Sequence, residues 1–501
     1  MANAASASGP PASLSPPSIV GAFIAAQLVF WTLFPALGYS APPLDVTESL
    51  VWGREWLLGT HKHPPLPSWL LEIARLTTGS VIWAPFLLSQ ICVGLTIWCA
   101  FLLGRRMIGA ERGAAGALLL GGVFYFSWPT PEFNHNVIQM PIWAAVPLFL
   151  HRAVEGGRWR DWLMLGALGA AAIYGKYSAA LMLLFVPAWL AAIPEGRDRL
   201  RTPGPWAAAA LFLVLIAPEA VWLFAHDFQP LDWAALRSGG GGTPLTFLGA
   251  QIADHLPMLL IAGPAGLIGR AMWRPAGTAR DRRYLLIFGL GPLFLTLVGA
   301  VIGGSGLKDM WGMPMFALSG LILTAYLGGR IDPLRLHRQL VAVLALVVLV
   351  SGIHGLLVGK GPAWAGLKPM RGAWPMDDIR TAAESFWRER NPDEALRFVI
   401  GDFWVGGLVA LEAEGVPSVM LNGDAAISPW IDTAQLDKRG GVIIWQITPN
   451  RPLPAYGPYT PAEAEHTVEI GWPDPDRPPL VLGLSSWPPP LRLQDSGSSA
   501  K

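Results

Sequence analysis

Of 501 residues, 52% are hydrophobic and only 14% charged, and a mean hydropathy of +0.41 takes the chain out of the soluble globular class. The formal net charge is only +1, and no nucleic-acid partner is expected. With 2 cysteines in all, neither redox chemistry nor a cysteine-based metal site is expected.

The opening "MANAASASGPPASLSP" has no Lys or Arg and no cleavage pattern after a short apolar core. It reads as a disordered tail, 1–16, with the first span as its own insertion signal. A span takes about 20 mostly apolar residues. Such runs recur near 17–39, 81–104, 114–127, 137–151, 162–174, 178–194, 205–225, 244–269, 284–302, 312–329 and 338–358. The expectation is a polytopic α-helical membrane domain over 17–358 with about 11 transmembrane helices, the third to sixth runs being short. Cys92 and Cys99 share the second run, about 10 Å apart by helical rise, too far for a disulfide.

Alternate loops carry Arg105, Arg106 and Arg112; Arg152, Arg158 and Arg160; Arg197, Arg199 and Arg201; Arg270, Arg274, Arg280, Arg282 and Arg283; and Arg330, Arg335 and Arg338. These are expected to be cytoplasmic. The opposite loops hold scattered bases only, so they face outward.

The first outward loop, 40–80, begins "APPLDVTESLVWGREWLLGT". Leu44 to Thr60 fits a short amphipathic helix with Val46, Leu50 and Leu57 on one side and Asp45, Glu48 and Trp52 on another. An interfacial helix whose acids face water is one reading; a cavity that holds a carboxylate against an acceptor hydroxyl, where a general base is useful, is the other. "HKHPPLPSWL" follows, and Pro64 and Pro65 stiffen the turn that presents His61, Lys62 and His63. A cationic turn at the membrane surface suits a phosphate.

A first span, an outer loop with an Asp-x-x-Glu pair (Asp45, Glu48), then Gly59 and "KHPPLPSW": this order resembles the polyprenyl-phosphate-sugar-dependent membrane glycosyltransferases of the family 39 type. These include the protein O-mannosyltransferases and the lipid A aminoarabinose transferases. The resemblance implies a GT-C fold and transfer of one sugar, with inversion, from a polyprenyl phosphate to a lipid, glycan or protein acceptor at the outer face. It puts Asp45 in the role of base or acceptor-orienting acid, with Glu48 beside it, and Lys62 and His63 near the donor phosphate. His63 stands directly before Pro-Pro where the aminoarabinose transferases have Lys, so the phosphate role is open between Lys62 and His63.

Later outer loops supply further groups. "WPTPEFNHNVIQM" brings Glu132 and the acceptor- or sugar-binding candidates Asn134, His135 and Asn136; "YGKYSA" brings Lys176 and Tyr177, resembling the family's Lys-Tyr; "GGSGLKDMWGMPM" brings Lys308 and Asp309. Lys176, Tyr177 and Lys308 join the donor-phosphate set. The loop "HDFQPLDWAALRSGGGGTP" carries Arg237 and four glycines, a lid hinge or a slack linker. Lys62, Lys176 and Lys308 would stabilise the leaving phosphate. No metal or other cofactor is required, though Asp45 and Glu48 leave room for a divalent ion.

After about residue 359 the apolar runs stop. A helix over Met376–Arg390, strands at "RFVIGD", "SVML", "GVIIWQI", "HTVEIGW" and "LVLGL", and a helix at "WVGGLVALEAEG" suggest a small extracytoplasmic α/β domain, 359–492, before a tail, 493–501. Asp474 and Asp476 in "WPDPDRPP" suit a surface turn. The expected location is the inner (cytoplasmic) membrane among its lipids, with active site and C-terminal domain facing the periplasm. Two rival classes are a secondary transporter, which would carry ionisable groups at mid-membrane, and a noncatalytic scaffold, which would be indifferent to Asp45→Asn.

Overall fold

A computed structural model of the chain describes residues 14–238, 240–268, 274–327, 331–359, 369–472 and 477–488. The tail 493–501, all but the end of the tail 1–16, Arg270, Arg330, and Asp474 with Asp476 lie outside the described residues.

The chain begins with α1 (Pro16–Gly38), then α2 (Leu44–Arg54) and α3 (Leu66–Thr78) in the first outer loop, α4 (Trp83–Met107), α5 (Ala110–Leu119), α6 (His135–Gly156) and α7 (Trp159–Gly175). The next run is broken into α8 (Ala180–Leu183), α9 (Phe185–Ala192) and α10 (Pro194–Leu200). There follow α11 (Pro203–Ala225), α12 (Gln229–Ser238), α13 (Pro244–His255), α14 (Met258–Ala262), α15 (Ala279–Gly303), α16 (Ser319–Tyr326) and α17 (Pro333–Gly359). Among the described residues 7 helical stretches (α1, α4, α6, α11, α13 with α14, α15 and α17) are long and apolar enough to cross a bilayer, or up to 8 if the chain bent by 98° before Pro194 is one span.

The remaining apolar runs form shorter pieces for local reasons. After α5 the chain turns as 3-10 helix over Leu120–Gly122 and Phe124–Phe126, and a Cβ on Gly122 would lie 2.6 Å from the backbone of Met258. Close approach of α14 therefore requires glycine where a straight helix would run on. The run at 312–329 opens as 3-10 helix around Pro314 before α16 begins, because proline supplies no N–H to an α-helical ladder.

The Arg-rich loops interlock at one end of the bundle. Arg199 donates to the Val154 carbonyl at 2.8 Å, Arg112 to that of Arg274 at 3.1 Å, and Arg280 pairs with Glu195 at 2.7 Å.

The C-terminal part comprises α18 (Met376–Arg390), β1 (Phe398–Gly401), α19 (Val405–Glu412), β2 (Ser418–Leu421), α20 (Thr433–Arg439), β3 (Gly441–Gln446), β4 (His466–Ile470) and β5 (Leu480–Trp487). Its 5-stranded sheet has the order β2-β1-β3-β5-β4, with β1 parallel to β2 and β3, and β5 antiparallel to β3 and β4. Every strand expected from the sequence is present. Helix α20 was not foreseen: among its residues only Leu436 is buried, so it carries no apolar stripe to read.

This domain docks on α2. Thr47 packs where a Cβ on Gly407 would lie, 2.7 Å from its Cγ2. Arg54 donates to the carbonyls of Ala410 and Leu411, at the electronegative end of α19. The Ser418 hydroxyl donates to Glu55 at 2.7 Å. Helix α2 thus ends at Arg54, short of the expected Thr60, and is no interfacial helix. Val46 to Gly53 are all buried, because the C-terminal domain covers the side that would have faced water.

Candidate active site

The start of α6 organises the site. Asn134 precedes the helix and its Oδ1 accepts the N–H groups of Asn136 and Val137 at 2.9 and 3.3 Å, which caps α6. That fixes the side chain so that its amide donates to Asp45 Oδ2 at 3.1 Å. Glu132, two residues earlier, accepts the backbone N–H of Asp45 at 3.1 Å, placing a carboxylate at the positive end of α2. Two acids therefore share one half-buried corner. Burial pushes the Asp45 carboxyl up, opposed by the Asn134 bond and the fields of Lys62, Arg371 and Lys176. Burial and then the charge of Asp45 raise Glu132 to about 7. Such a pair holds a proton close to neutrality, where a general base is most effective.

Lys62 and Glu48 are brought together as an ion pair, Nζ to Oε1 2.5 Å. The ammonium also lies 4.8 Å from the ring centre of Phe403, 5.3 Å from Trp233 and 5.9 Å from Trp52, an aromatic enclosure that favours a cation. Glu48 is the counter-charge of Lys62, which separates it from Asp45 in role. The turn before Pro64 is held by Thr60, whose Oγ1 accepts from the N–H groups of Lys62 and His63 at 3.2 and 3.0 Å and donates to the His63 carbonyl at 3.1 Å. The rings of His63 and His135 lie 4.0 Å apart, and His135 Nε2 is 3.3 Å from the Pro64 carbonyl. Burial, then His135, Lys176 and Lys62, holds His63 well below its usual value. His63 is therefore neutral at pH 7, and of the two candidates in the turn Lys62 alone is a cation. Burial and the Lys62 charge likewise bring His61 down to about 4.

Lys176, in extended backbone between α7 and the following 3-10 turn, donates to Asn136 Oδ1 at 2.5 Å. Burial lowers it to about 8 against the opposing field of Asp45. Asp45 and Lys176 thus bond to two asparagines of the same helix start. Tyr177 goes elsewhere: its hydroxyl donates to Glu219 on α11, so it braces the segment behind Lys176.

Lys308 sits at the margin. It is half-exposed and follows Leu307, whose backbone exchanges two 2.8 Å hydrogen bonds with Gly242. Gly241 and Gly242 are therefore not a slack linker. A Cβ on Gly241 would lie 2.5 Å from Leu307 N, so glycine there permits backbone against backbone. This bridge ties the Lys308 loop to α12, which lays Trp233 against Lys62 and against His63 at 5.2 Å and stacks Arg237 on Trp233 at 5.2 Å.

Trp233, Glu219, Phe403 and Arg371 were not legible beforehand. The one available signal was that a buried cation such as Lys62 demands a counter-charge and a housing. Nothing local named an aromatic residue more than 300 positions away. A divalent ion fits Asp45 and Glu48 poorly: Lys62 already occupies Glu48 Oε1 and the Asn134 amide occupies Asp45 Oδ2, both donors that a cation would have to displace. Among the described residues no group of 3 or more His, Cys, Asp or Glu side chains could hold a metal ion.

Residues 62–222 match the family model described as dolichyl-phosphate-mannose-protein mannosyltransferase; the match spans Lys62, Asn134, Asn136 and Lys176. The chain is 25% identical over 439 residues to the lipopolysaccharide core galacturonosyltransferase RgtA of Rhizobium johnstonii, covering 80% of this chain and 81% of that one. Among solved structures it resembles ArnT from Cupriavidus metallidurans bound to undecaprenyl phosphate, with TM-score 0.62 and 14% identity over 93% of this chain and 98% of that one. ArnT in the apo state matches with TM-score 0.61. The expected GT-C architecture is thereby the observed one.

Proposed function

We propose that this chain, a multi-pass membrane glycosyltransferase of the GT-C type, moves a single sugar from a polyprenyl-phosphate donor to an acceptor at the outer face of the cytoplasmic membrane, with inversion. Its enzyme class leaves no support for the transporter and scaffold alternatives. The observation that carries the reading is the meeting of a half-buried, proton-poised acid, Asp45 beside Glu132, with Lys176 across one helix start.

In the reaction the bond between the anomeric carbon and the phosphate oxygen breaks as the acceptor oxygen bonds to that carbon. Asp45 takes the acceptor's proton, with Asn134 holding the carboxylate in place. Lys176, released from Asn136, meets the growing charge on the phosphate, and Lys62 adds a second positive field. Base and phosphate site lie on different asparagines, which suits a single displacement from the face opposite the leaving group. No step needs a metal. The undecaprenyl phosphate bound to ArnT supports the donor class. The lipopolysaccharide core on which RgtA acts supports an envelope glycan or lipid as acceptor, and the Arg-rich loops at the far end support a periplasmic active site.

The test is mass spectrometry of lipids retained by the gently purified protein and by a Lys62→Ala, Lys176→Ala double variant. A polyprenyl phosphate, free or glycosylated, held by the wild type and lost from the variant is the expected result. Ordinary phospholipid alone in both would overturn the donor assignment.

A further inference from the structure

Glu219 is the only ionisable side chain in α11. Leu213, Val214, Val221 and Phe224 of that helix are exposed on its lipid side, while Glu219 is fully buried, about 9 Å by helical rise before the outer end of α11. An acid at that depth is costly unless protein groups hold it. Here Oε1 accepts the Tyr177 hydroxyl, and Oε2 has no partner among the described residues. The bond to Tyr177 is therefore what the position of this acid serves.

Tyr177 directly follows Lys176, and the backbone around Lys176 is gripped from two sides. On one side stands α6. A Cβ on Gly175 would lie 2.3 Å from Gln139 Nε2, so glycine lets the end of α7 close against that amide, which donates to the Ala172 carbonyl at 2.8 Å. On the other side stands α11. The Tyr174 hydroxyl donates to the Leu215 carbonyl at 3.1 Å, and the Tyr177 hydroxyl donates to Glu219 one turn further along. Lys176 lies between these two tyrosines in extended backbone, where α7 has ended and the 3-10 turn Tyr177–Ala179 begins. Tyr174 ties down the helix before the break, and Tyr177 ties down the chain after it.

The proposed reaction gives the Lys176 ammonium two stations. One is Asn136 Oδ1, at 2.5 Å; the other is the donor phosphate. Side-chain rotation can carry it between them only if its Cα stays in place, and misplacing a reacting group by about 1 Å costs about 10²-fold.

We propose that Glu219 is a positioning residue for Lys176: through the Tyr177 hydroxyl it fixes the backbone after the break, so that the ammonium swings from Asn136 to the phosphate about a fixed Cα. This rests on the phosphate role proposed above for Lys176. The role needs an acceptor oxygen and not a charge, because an amide oxygen offers the tyrosine the same lone pairs.

Binding of undecaprenyl phosphate to the full-length protein in nanodiscs tests it, as a double-mutant cycle with Lys176→Ala. Tyr177→Phe, which removes one oxygen and keeps the ring, and Glu219→Leu should each weaken binding by about five- to tenfold, the effect of one lost hydrogen bond. Glu219→Gln keeps the acceptor and should bind within about twofold of wild type. In the Lys176→Ala background neither Tyr177→Phe nor Glu219→Leu should weaken binding further, since no ammonium is left to misplace. A full additional loss in that background would mark the pair as a structural brace and overturn the positioning role. So would wild-type binding by Tyr177→Phe, or a loss in Glu219→Gln equal to that in Glu219→Leu. Wild-type binding by Lys176→Ala alone would instead overturn the phosphate role of Lys176 itself.

Discussion

At the scale of single residues, burial and charge set opposite limits on pH. The proposed transfer needs Asp45 ionised, and burial raises it while Glu132 beside it holds a proton up to about 7. It also needs Lys176 protonated, and burial lowers that lysine to about 8. The rate should therefore rise with pH through about 7 as the acid pair loses its last proton, and donor KM should rise above about 8 as Lys176 loses its charge. A transfer assay across pH checks both limbs. Glu132→Gln removes a like charge from beside Asp45 and should move the acidic limb to lower pH; Asp45→Asn should cost about 10²–10⁴-fold in kcat. An acidic limb unmoved in Glu132→Gln would break the link between the two acids. Asp45, Lys62 and Lys176 were legible in the sequence because charges are costly near hydrocarbon and so declare themselves. Their pairing was not: Glu48 and Lys62 stand fourteen positions apart, and the sequence reading assigned them separate roles.

Among the elements, α12 shows how a loop becomes part of a site. Its run of glycines could have been a linker, yet Gly241 and Gly306 lie backbone to backbone so that Gly242 and Leu307 can bridge. A Cβ at Gly306 would fall 2.6 Å from Gly241 N. Gly306→Ala should prise the bridge open and loosen α12, and with it the cover that Trp233 places on Lys62. Hydrogen exchange at the Gly242 and Leu307 amides should quicken by at least about tenfold, the effect of ~1.4 kcal/mol, and donor affinity should fall. Gly299→Ala, with nothing within 4 Å of its Cβ, is the control. Equal exchange in the two variants would return the run to the status of a linker. Composition shows that glycine is present; only the approach of a second strand shows what its missing side chain is for.

Over the whole molecule, the site is closed by two parts of the chain that meet across α2. Arg54 donates to two carbonyls at the end of α19, a contact worth about 1.5–3 kcal/mol per charged hydrogen bond. Arg54→Met should lower the thermal midpoint and the transfer rate together, since Phe403 comes with the docked domain. Arg388→Met, which breaks an exposed pair with Glu414, should change neither. A normal rate in Arg54→Met with the midpoint lowered would separate docking from catalysis. The sequence by itself determined the membrane class, the alternation of basic and base-poor loops, the strands of the C-terminal sheet and the acidic and basic residues of the outer loops that meet around the start of α6, because each follows from local solvation and periodicity. For α2 it left two readings open, an interfacial helix whose acids face water and a cavity that holds a carboxylate, because a local pattern of acids and apolar residues suits both. Only the tertiary structure decided that α2 is buried, that Lys62 is held by Glu48 within three aromatic rings, that Tyr177 turns to Glu219, and that Asn134 holds Asp45. Those are contacts between residues far apart in sequence, and their energies come from desolvation and pairing that exist only once the chain has folded.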